Sequence, residues 1–508
     1  MIDLKNIMRH ARRRDSRLSG AWLLGFLLLL PVGSRAAVHN VRDYGAKGDG
    51  KAIDSPAINA AIGAAVKAGG GTVYFPAGTY ASYSIRLESH ITLYLEKGAV
   101  LLAAKPSATE GYDAPEPCPY DDYQDFGHSH WKNSLIWGIG LEDITIGGDG
   151  MIDGEGLLDG NFNVPEVFRL RNKLGDLALP AGQGNKAISL KNCRGVTIRD
   201  LTLYRCGHFA LLATGVDNLN IHDLVIDSNR DGLDIDACRN VRVTGCLVNT
   251  PWDDGIVLKA SYALGYYRDT ENVVISDCAL SGYETGALLD GTRALPVLSG
   301  SRNKPGRLDR RAAGRIKFGT ESSGGFKNVA ITNCTFDLSG GVLLESMDGG
   351  DLEDVVIGNL TMRRVVGAPL FIRLGARMRS PEGRETGHIR RVRIHDVNAV
   401  YDTPPLFGII IAGIPGHPVE DISIRCLHVH ATGGLTPEAA LKEVPEGEKK
   451  YPDPWMFGGP MPAKGMYLRH VDGLVLDDVR FTFDAPDSRP LILQEDVKNL
   501  TLNPTHLE

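Results

Sequence analysis

A short strand-like element recurs along most of the chain and restricts its fold more than any other feature. In each copy an Asn, Asp, Arg or Gly precedes an apolar residue, a variable residue and another apolar residue. The copies begin at Asp143, Gly195, Asn218, Asn240, Asn272, Asn328, Asp354, Arg391, Asp421, Gly473 and Asn499. Alternation with a period of two, with Gly, Asn or Asp at the breaks, indicates β-strands rather than helices.

The spacing of the copies predicts a parallel β-helix. Asn218 and Asn240 lie 22 residues apart, which leaves room for three short strands and their turns. A single coil of this size cannot bury its own apolar face, whereas stacked coils share a continuous core. A propeller or a sandwich is the alternative, but propeller blades need about 40 residues and a signature of their own. We therefore expect an all-β solenoid, with a ladder of Asn side chains at successive turns.

One segment has the pattern of a helix. Ser55 to Gly69 (SPAINAAIGAAVKAG) starts with a Ser at the cap position and a Pro in the first turn, and it ends in Gly. Because the first coil of a solenoid needs a cover, we predict that this helix caps the N-terminal end.

The N-terminus has the features of an export signal. Basic residues precede the apolar run from Ala21 to Leu30, and small residues at Ser34 and Ala36 suit a cleavage site. We predict a signal peptide over residues 1–37, export to the periplasm or the medium, and a single catalytic β-helix domain over 38–508. An uncleaved anchor is the alternative. No later stretch reaches the roughly 18 apolar residues of a spanning helix, so we predict no membrane span after cleavage.

Charge and cysteine usage narrow the partners. A net charge of −7 argues against nucleic acid as the main partner, which would call for a basic face. Four of the eight cysteines, Cys193, Cys246, Cys278 and Cys334, follow strand patterns in similar contexts, so we predict a buried stack rather than disulfides. There is no Cys/His cluster at zinc spacing, and we predict no metal and no cofactor. We expect a monomer.

Two acidic motifs carry the chemistry. NRDGLDID (229–236) and TPWDDGIVLK (250–259) are one coil apart, because Asp231 and Asp253 are separated by 22 residues. Asp231, Asp253 and Asp254 should therefore converge on one face. Like charges at close range raise at least one pKa, so one carboxyl stays protonated beside an ionised neighbour. This is the requirement for glycoside hydrolysis by inversion.

The chain also resembles known families. VRDYGAKGDGKAID, from Val41, resembles the start of pectate-lyase-like β-helix proteins. The acidic motifs resemble glycoside hydrolase family 28, the polygalacturonase and rhamnogalacturonan hydrolase family. Its members carry Asn-Thr-Asp, then Asp-Asp, Gly-His-Gly and Arg-Ile-Lys on a right-handed single-stranded parallel β-helix. The resemblance extends from about Val38 to beyond Met347.

Roles follow from this resemblance position by position. It implies that Asp253 is the general acid and that Asp231 and Asp254 hold and activate the water. Asn229 stands at the first position of Asn-Thr-Asp and is a candidate for substrate binding. Arg230 replaces the Thr of that motif, which is a departure from the family pattern.

The later motifs depart further. Counted from Cys278, the family His falls at Glu284, which we therefore take as a substrate-binding candidate. Arg315 and Lys317 form a literal Arg-Ile-Lys, but their context resembles the strand just after Gly-His-Gly, which moves Glu345 to the position of the family Lys. In either register Arg315 and Lys317 point out of one strand face, and we predict that they clamp a uronate carboxylate. Solvated strand charges are the alternative.

Other residues are open to two interpretations. No His occurs from Leu224 to Gly387, so His208, in the coil before Asp231, is a substrate-binding candidate, although a His beside a Phe is often structural. Lys259 closes the Asp-Asp strand and is a further candidate. Asp234 and Asp236 fit either the site or a structural turn.

Long loops and the motifs together predict the activity. The segments 105–131, 291–313 and 433–464 are long for a solenoid and would wall a cleft, which favours exo action. We predict an exported glycoside hydrolase that cleaves α-galacturonosyl linkages in pectic polysaccharides or oligosaccharides. One alternative is a uronate polysaccharide lyase of the same fold, with calcium at the Asp cluster. The other is a noncatalytic carbohydrate-binding β-helix.

Overall fold

The computed structural model describes residues 37–125, 127–158, 182–296 and 313–503. Almost all of the predicted signal peptide, and part of the predicted loop 291–313, lie outside these residues. Within them, the longest apolar helix is too short to cross a bilayer.

The described chain winds into a right-handed parallel β-helix, as predicted, in which each strand pairs in parallel with its equivalent one coil further on. The first sheet contains β5 (Ile85–Arg86), β8 (Ile136–Ile139), β11 (Lys186–Lys191), β14 (Phe209–Thr214), β17 (Asp231–Asp236), β20 (Ile256–Ala260), β23 (Ile316–Ser322), β26 (Val342–Ser346), β28 (Leu370–Leu374) and β30 (Ile409–Ala412). The second sheet contains β1 (Ala37–Asn40), β3 (Gly71–Phe75), β6 (Ile91–Leu95), β9 (Glu142–Gly147), β12 (Arg194–Arg199), β15 (Asp217–His222), β18 (Arg239–Thr244), β21 (Thr270–Ser276) and β24 (Phe326–Thr332).

The third sheet completes each coil. It contains β2 (Asp49–Ile53), β4 (Gly78–Ser82), β7 (Ala99–Ala103), β10 (Met151–Asp153), β13 (Thr202–Tyr204), β16 (Val225–Asp227), β19 (Leu247–Asn249), β22 (Ala279–Ser281) and β25 (Thr335–Asp337). Towards the C-terminus the strands lengthen and run through more than one sheet: β27 (Leu352–Arg363), β29 (Ile389–Val400), β31 (Val419–Gly433), β32 (Met466–Ala485) and β33 (Ile492–Leu502).

The predicted capping helix is present as α1 (Ser55–Lys67). Its buried face, which includes Ile58 and Ile62, packs over the first coil. The predicted Ser55 cap is wrong. Asp54 holds the N-cap position, and the Ser55 hydroxyl instead accepts a hydrogen bond from the backbone N–H of Tyr83. Short 3₁₀ turns occur at Val41–Tyr44, Asp121–Tyr123, Pro437–Ala439 and Pro454–Phe457.

The recurring Asn residues stack as predicted. Asn240 donates to Asn218 at 3.1 Å, Asn272 donates to Asn240 at 3.1 Å, and Asn328 donates to Asn272 at 2.8 Å. Each has a positive φ between 54° and 58°, a conformation that Asn tolerates better than most residues. The repeat therefore uses Asn to turn the chain and to bond one coil to the next.

The cysteines are unpaired, as predicted. All eight are free thiols. Cys246, Cys278 and Cys334 form a buried stack between the second and third sheets, as predicted. The inclusion of Cys193 in this stack is wrong, because Cys193 lies in the turn between the first and second sheets, in line with Cys238. Apolar residues of all three sheets fill the rest of this single continuous interior.

Candidate active site

The three predicted aspartates meet at the edge of the first sheet. Leu233 pairs with Ile256, which puts Asp231 beside Asp254 on the next coil. The backbone carbonyl of Asp254 accepts a hydrogen bond from the backbone N–H of Gly232 at 3.0 Å. Asp231 and Asp254 are buried, whereas the Asp253 side chain is 18% exposed. Asp253 is therefore the carboxyl of the group that is most open to a ligand.

Asp231 sits where a negative charge is unfavourable. Burial, and then the neighbouring carboxylates of Asp253 and Asp234, raise its pKa well above the usual range. Its Oδ1 is buried and has no hydrogen-bond partner in the described chain. The surroundings of Asp231 therefore favour its protonated form.

Asp254 has the opposite environment. Arg315 Nε donates to its Oδ1, and Lys317 Nζ lies 3.5 Å from its Oδ2. Burial alone would raise the pKa of Asp254, but these two cations outweigh burial and hold the pKa at about 2. The pKa values of two neighbouring carboxyls are thus shifted in opposite directions, which is the arrangement that acid–base catalysis requires.

Arg315 and Lys317 are buried ion-pair partners, so their interpretation as solvated strand charges is wrong. Arg315 also donates to Asp453 Oδ2 at 2.7 Å, and Lys317 donates to the Tyr451 hydroxyl at 3.1 Å. Both partners lie in the long segment 433–464, which folds back over the first sheet. Sequence reasoning missed Tyr451 and Asp453, since no local pattern shows where a distant loop returns.

The predicted register of Arg315, Lys317 and Glu345 is confirmed, but the placement of Glu284 at the family His is wrong. Ile256 pairs with Ile316, so Gly314 rather than Glu284 occupies the position next to Asp254. Glu284 follows the third-sheet strand β22, and its N–H donates to Ala294 O at 2.9 Å. Because a long insertion follows β22, counting residues from Cys278 gave the wrong position for the family His.

Glu345 lies one coil beyond, below Lys317. Its carboxylate is fully buried and 3.6 Å from Lys317 Nζ, and neither oxygen has a hydrogen-bond partner among the described residues. Burial raises the pKa of Glu345 to about 8, although Lys317 and Arg315 act in the opposite direction. A neutral carboxylic acid therefore supports the cation that holds Asp254.

His208 belongs to the site. Its Nε2 is 3.6 Å from Asp231 Oδ2 and 3.3 Å from an Arg230 guanidinium nitrogen, and its ring stacks on Phe209 with centroids 4.3 Å apart. Burial, and then Arg230, lower the pKa of His208 well below its usual range. A neutral imidazole thus flanks the carboxyl group of Asp231.

Arg230, which replaces the motif Thr, binds the most exposed aspartate. Its guanidinium lies 2.6 Å from Asp253 Oδ2. Asn229, the residue before it, accepts the backbone N–H of Trp252 through its carbonyl at 3.3 Å, which joins the two acidic coils. The sequence showed the substitution at 230 but not this contact.

Lys259 lies in a group of buried polar and charged side chains with Asp234, Glu321 and His128, which we call the charged wall. Its Nζ lies 3.3 Å from Asp234 and 3.4 Å from Glu321, and it contacts Nε2 of His128. Burial would lower its pKa, but Asp234 and Glu321 raise it well above the usual range. His128 comes from the long segment 105–131 and was not predicted.

Asp234 and Asp236, for which the sequence allowed two interpretations, have different surroundings. Asp234 belongs to the charged wall, with His128 Nε2 3.0 Å from its Oδ2. Asp236 accepts the backbone N–H and the hydroxyl of Ser261 at 2.8 and 2.6 Å, so it is a turn residue.

Two groups of residues at the site have the donor types of a cation site. In each of the sets His128, Asp231, Asp234 and His208, Asp231, Asp253, one ligand atom per residue lies within 4.8 Å of the others. Positive charges already occupy both, because Lys259 contacts the first set and Arg230 the second. Repulsion by these cations disfavours calcium at Asp231, Asp253 and Asp254, which we call the carboxylate trio.

Fold and site together define a class, the parallel β-helix proteins with a carboxylate cluster on one sheet face. Residues 38–257 match the family described as rhamnogalacturonase A/epimerase, pectate lyase-like. A probable polygalacturonase of Vitis vinifera is 27% identical over 326 residues, which are 60% of this chain and 62% of that protein. Alginate lyase 7 of Azotobacter vinelandii is 69% identical over 42 residues, 8% of this chain and 5% of that protein.

A solved structure shares the fold. The family 28 exopolygalacturonase of Yersinia enterocolitica aligns with a TM-score of 0.66 and 18% identity, over 92% of this chain and 78% of that one. The chain spans less than two thirds of the length of the curated relatives named above. The predicted resemblance is confirmed: this chain is similar in sequence to a polygalacturonase and shares its fold with a family 28 exopolygalacturonase.

Proposed function

We propose that this protein is a glycoside hydrolase that cleaves α-galacturonosyl linkages in pectic chains with inversion of configuration. The observation that carries the proposal is the contrast between two neighbouring carboxyls, since the pKa of Asp231 lies well above its usual range while Arg315 and Lys317 hold that of Asp254 at about 2. The names of the sequence relatives support the pectic substrate.

Exposure and charge support the following roles. Asp253, the most exposed of the three, protonates the leaving oxygen. Asp231, whose pKa is raised well above its usual range, first passes this proton to Asp253, which lies within 4.8 Å of it. Asp254 orients and deprotonates the attacking water. A uronate carboxylate bound by Arg315 and Lys317 would draw these cations from Asp254 and make it a stronger base.

We further propose that the enzyme acts on chain ends or short oligosaccharides. Segments 105–131 and 433–464 contribute His128, Tyr451 and Asp453 to the site, so they wall it on two sides. An open polymer would require a cleft free of such walls.

Digestion of defined galacturonate oligosaccharides tests the proposal. Proton NMR of the first product should show the β-anomer, which is the inverted configuration. Retention of the α-anomer would contradict the mechanism. An Asp143→Asn variant is the matched control for carboxylate substitutions, because Asn is the usual residue at this exposed repeat position.

A uronate lyase is the second candidate, favoured by the short segment shared with the alginate lyase. A lyase would release unsaturated ends that absorb in the ultraviolet. A calcium-dependent lyase would also lose its activity in chelator, whereas the hydrolase should keep it.

We also propose that the protein is exported, because polymeric pectin does not enter cells. Sequencing the mature N-terminus from fractionated cells tests this. A start near Ala37 or Val38 in the periplasm or medium is expected, and an intact N-terminus in the membrane fraction would contradict it.

A further inference from the structure

Five tyrosines gather beside the candidate site, in a cluster that the proposed mechanism does not use. The tyrosine cluster consists of Tyr120, Tyr123, Tyr262 and Tyr267, whose rings contact one another, and of Tyr266, which precedes Tyr267 in the same loop. Tyr262 is its centre, with the rings of Tyr120, Tyr123 and Tyr267 at centroid distances of 5.3, 5.4 and 5.0 Å. Tyr266 is 49% exposed and Tyr267 is 40% exposed. Exposed aromatic surface of this extent on a protein is typical of a binding site.

The cluster is held rigidly from below. Gly265 has φ +82° and donates to Tyr262 O at 2.9 Å, which closes a tight turn. The Tyr120 ring lies directly on this turn, since a Cβ at Gly265 would stand 2.4 Å from a ring carbon. Because the two loops interlock, their rings are ordered before any ligand arrives, which lowers the entropic cost of binding.

The same two loops build the wall of the candidate site. The loop of Tyr120 and Tyr123 continues to His128, and Tyr262 follows the strand that ends next to Lys259. The tyrosine cluster is therefore continuous with the face that carries the carboxylates, but it lies beside the carboxylate trio rather than within it.

A cation completes the surface. The Arg384 guanidinium lies over the Tyr267 ring at 4.6 Å, and its side chain rests on Gly349, where a Cβ would be 2.4 Å from Arg384 Cγ. Within the described ranges Arg384 has no carboxylate in ion-pair range. Two neighbouring arginines differ in this respect, since Arg268 pairs with Asp217 and Arg379 with Asp125.

We propose that the tyrosine cluster and Arg384 form a second binding site, outside the carboxylate trio, for a uronic acid polysaccharide. The C–H faces of successive sugar rings pack on the exposed tyrosines, and a sugar carboxylate pairs with Arg384. Tyrosine suits this task because it offers a flat apolar face with a polar tip. The choice of a pectic chain as the occupant rests on the proposed function. The site holds the polymer near the enzyme between cleavage events.

Binding to polygalacturonate, measured by affinity gel electrophoresis in an Asp253→Asn background, tests this site without digestion of the polymer. Tyr266→Ser with Tyr267→Ser should weaken binding about tenfold, because two ring contacts are lost. Arg384→Gln should weaken polygalacturonate binding and leave binding of a neutral polymer unchanged. Tyr204→Ser is the matched control, since Arg205 lies 4.7 Å from that ring but is paired with Asp153.

Activity supplies an independent readout. In the enzyme with its trio intact, the double Tyr variant should raise KM for polygalacturonate and leave turnover of trigalacturonate unchanged. Polymer binding within twofold of the parent would overturn the proposal, as would sedimentation showing that the tyrosines hold a second copy of the chain. If trigalacturonate is not cleaved at all, the proposed function fails, while the gel experiment still decides the binding site.

Discussion

Asp231 and Asp254 are the same amino acid on neighbouring coils, yet their surroundings shift their pKa values in opposite directions. Asp254 faces Arg315 and Lys317, whereas Asp231 faces two further carboxylates and a neutral imidazole. At the scale of single residues, the pKa of each carboxyl is therefore set by the charged groups that lie beside it.

Asp254→Asn tests this directly. The substitution preserves shape but removes the base, so kcat should fall about 10³-fold while the fold persists. Turnover of trigalacturonate and the circular dichroism spectrum are the measurements. The Asp143→Asn control should retain full activity, and an Asp254→Asn enzyme with near-normal kcat would remove Asp254 from the mechanism.

Glu345 predicts a pH-dependent stability. Its pKa is about 8 in the folded protein against 4.5 as the ordinary value, so the folded state binds more protons between these limits. Its contribution to stability is full below pH 4.5 and is lost as the pH rises towards 8. Glu345→Gln should therefore raise Tm at pH 8 and change it little at pH 4.5. An equal shift at both pH values would contradict this account.

At the scale of elements, the first sheet supplies the carboxylates and two long segments complete the site. The segment 433–464 folds over the sheet and places Tyr451 and Asp453 on Lys317 and Arg315. The regular coils determine the spacing of the carboxylates along the first sheet. The irregular segments supply the partners of Arg315 and Lys317.

Tyr451→Phe tests the contribution of this segment. The ring remains but the hydrogen bond to Lys317 is lost, so KM for trigalacturonate should rise about tenfold. Steady-state kinetics measures the effect. Tyr44→Phe is the control, because it removes a comparable hydrogen bond, to His39 at 2.7 Å, in the first coil. Equal effects in the two variants would show that the loss is general destabilisation.

At the scale of the whole molecule, stability passes from coil to coil. Each strand pairs with its equivalents in the neighbouring coils, so a defect at one end should spread only gradually. The trio lies in the middle of the solenoid, where coils support it on both sides.

Ile58→Asp in the capping helix tests this gradient. A charge buried under the cap should destabilise the first coils by about 3 kcal/mol or more. Hydrogen exchange should then quicken in β1 to β6 before β17 and β20. The exposed Lys67→Asp is the control, and uniform loss of protection along the chain would show all-or-none unfolding instead.

Much of the fold and the centre of the site could be predicted from the sequence alone. The 22-residue spacing from Asn218 to Asn240 determined the coil, and the same spacing from Asp231 to Asp253 determined that the carboxylates meet. Such periodic signals are local, because each coil repeats the geometry of the last.

Only the tertiary structure decided the electrostatic partners. The pairing of Arg230 with Asp253, the contacts of Tyr451 and His128, and the burial of Glu345 all join residues far apart in the chain. The misplaced Glu284 has the same origin, since an irregular insertion breaks the count of coils. The repeat dictates where backbone positions stack, but the protonation of each carboxyl depends on side chains that non-repeating loops bring to it.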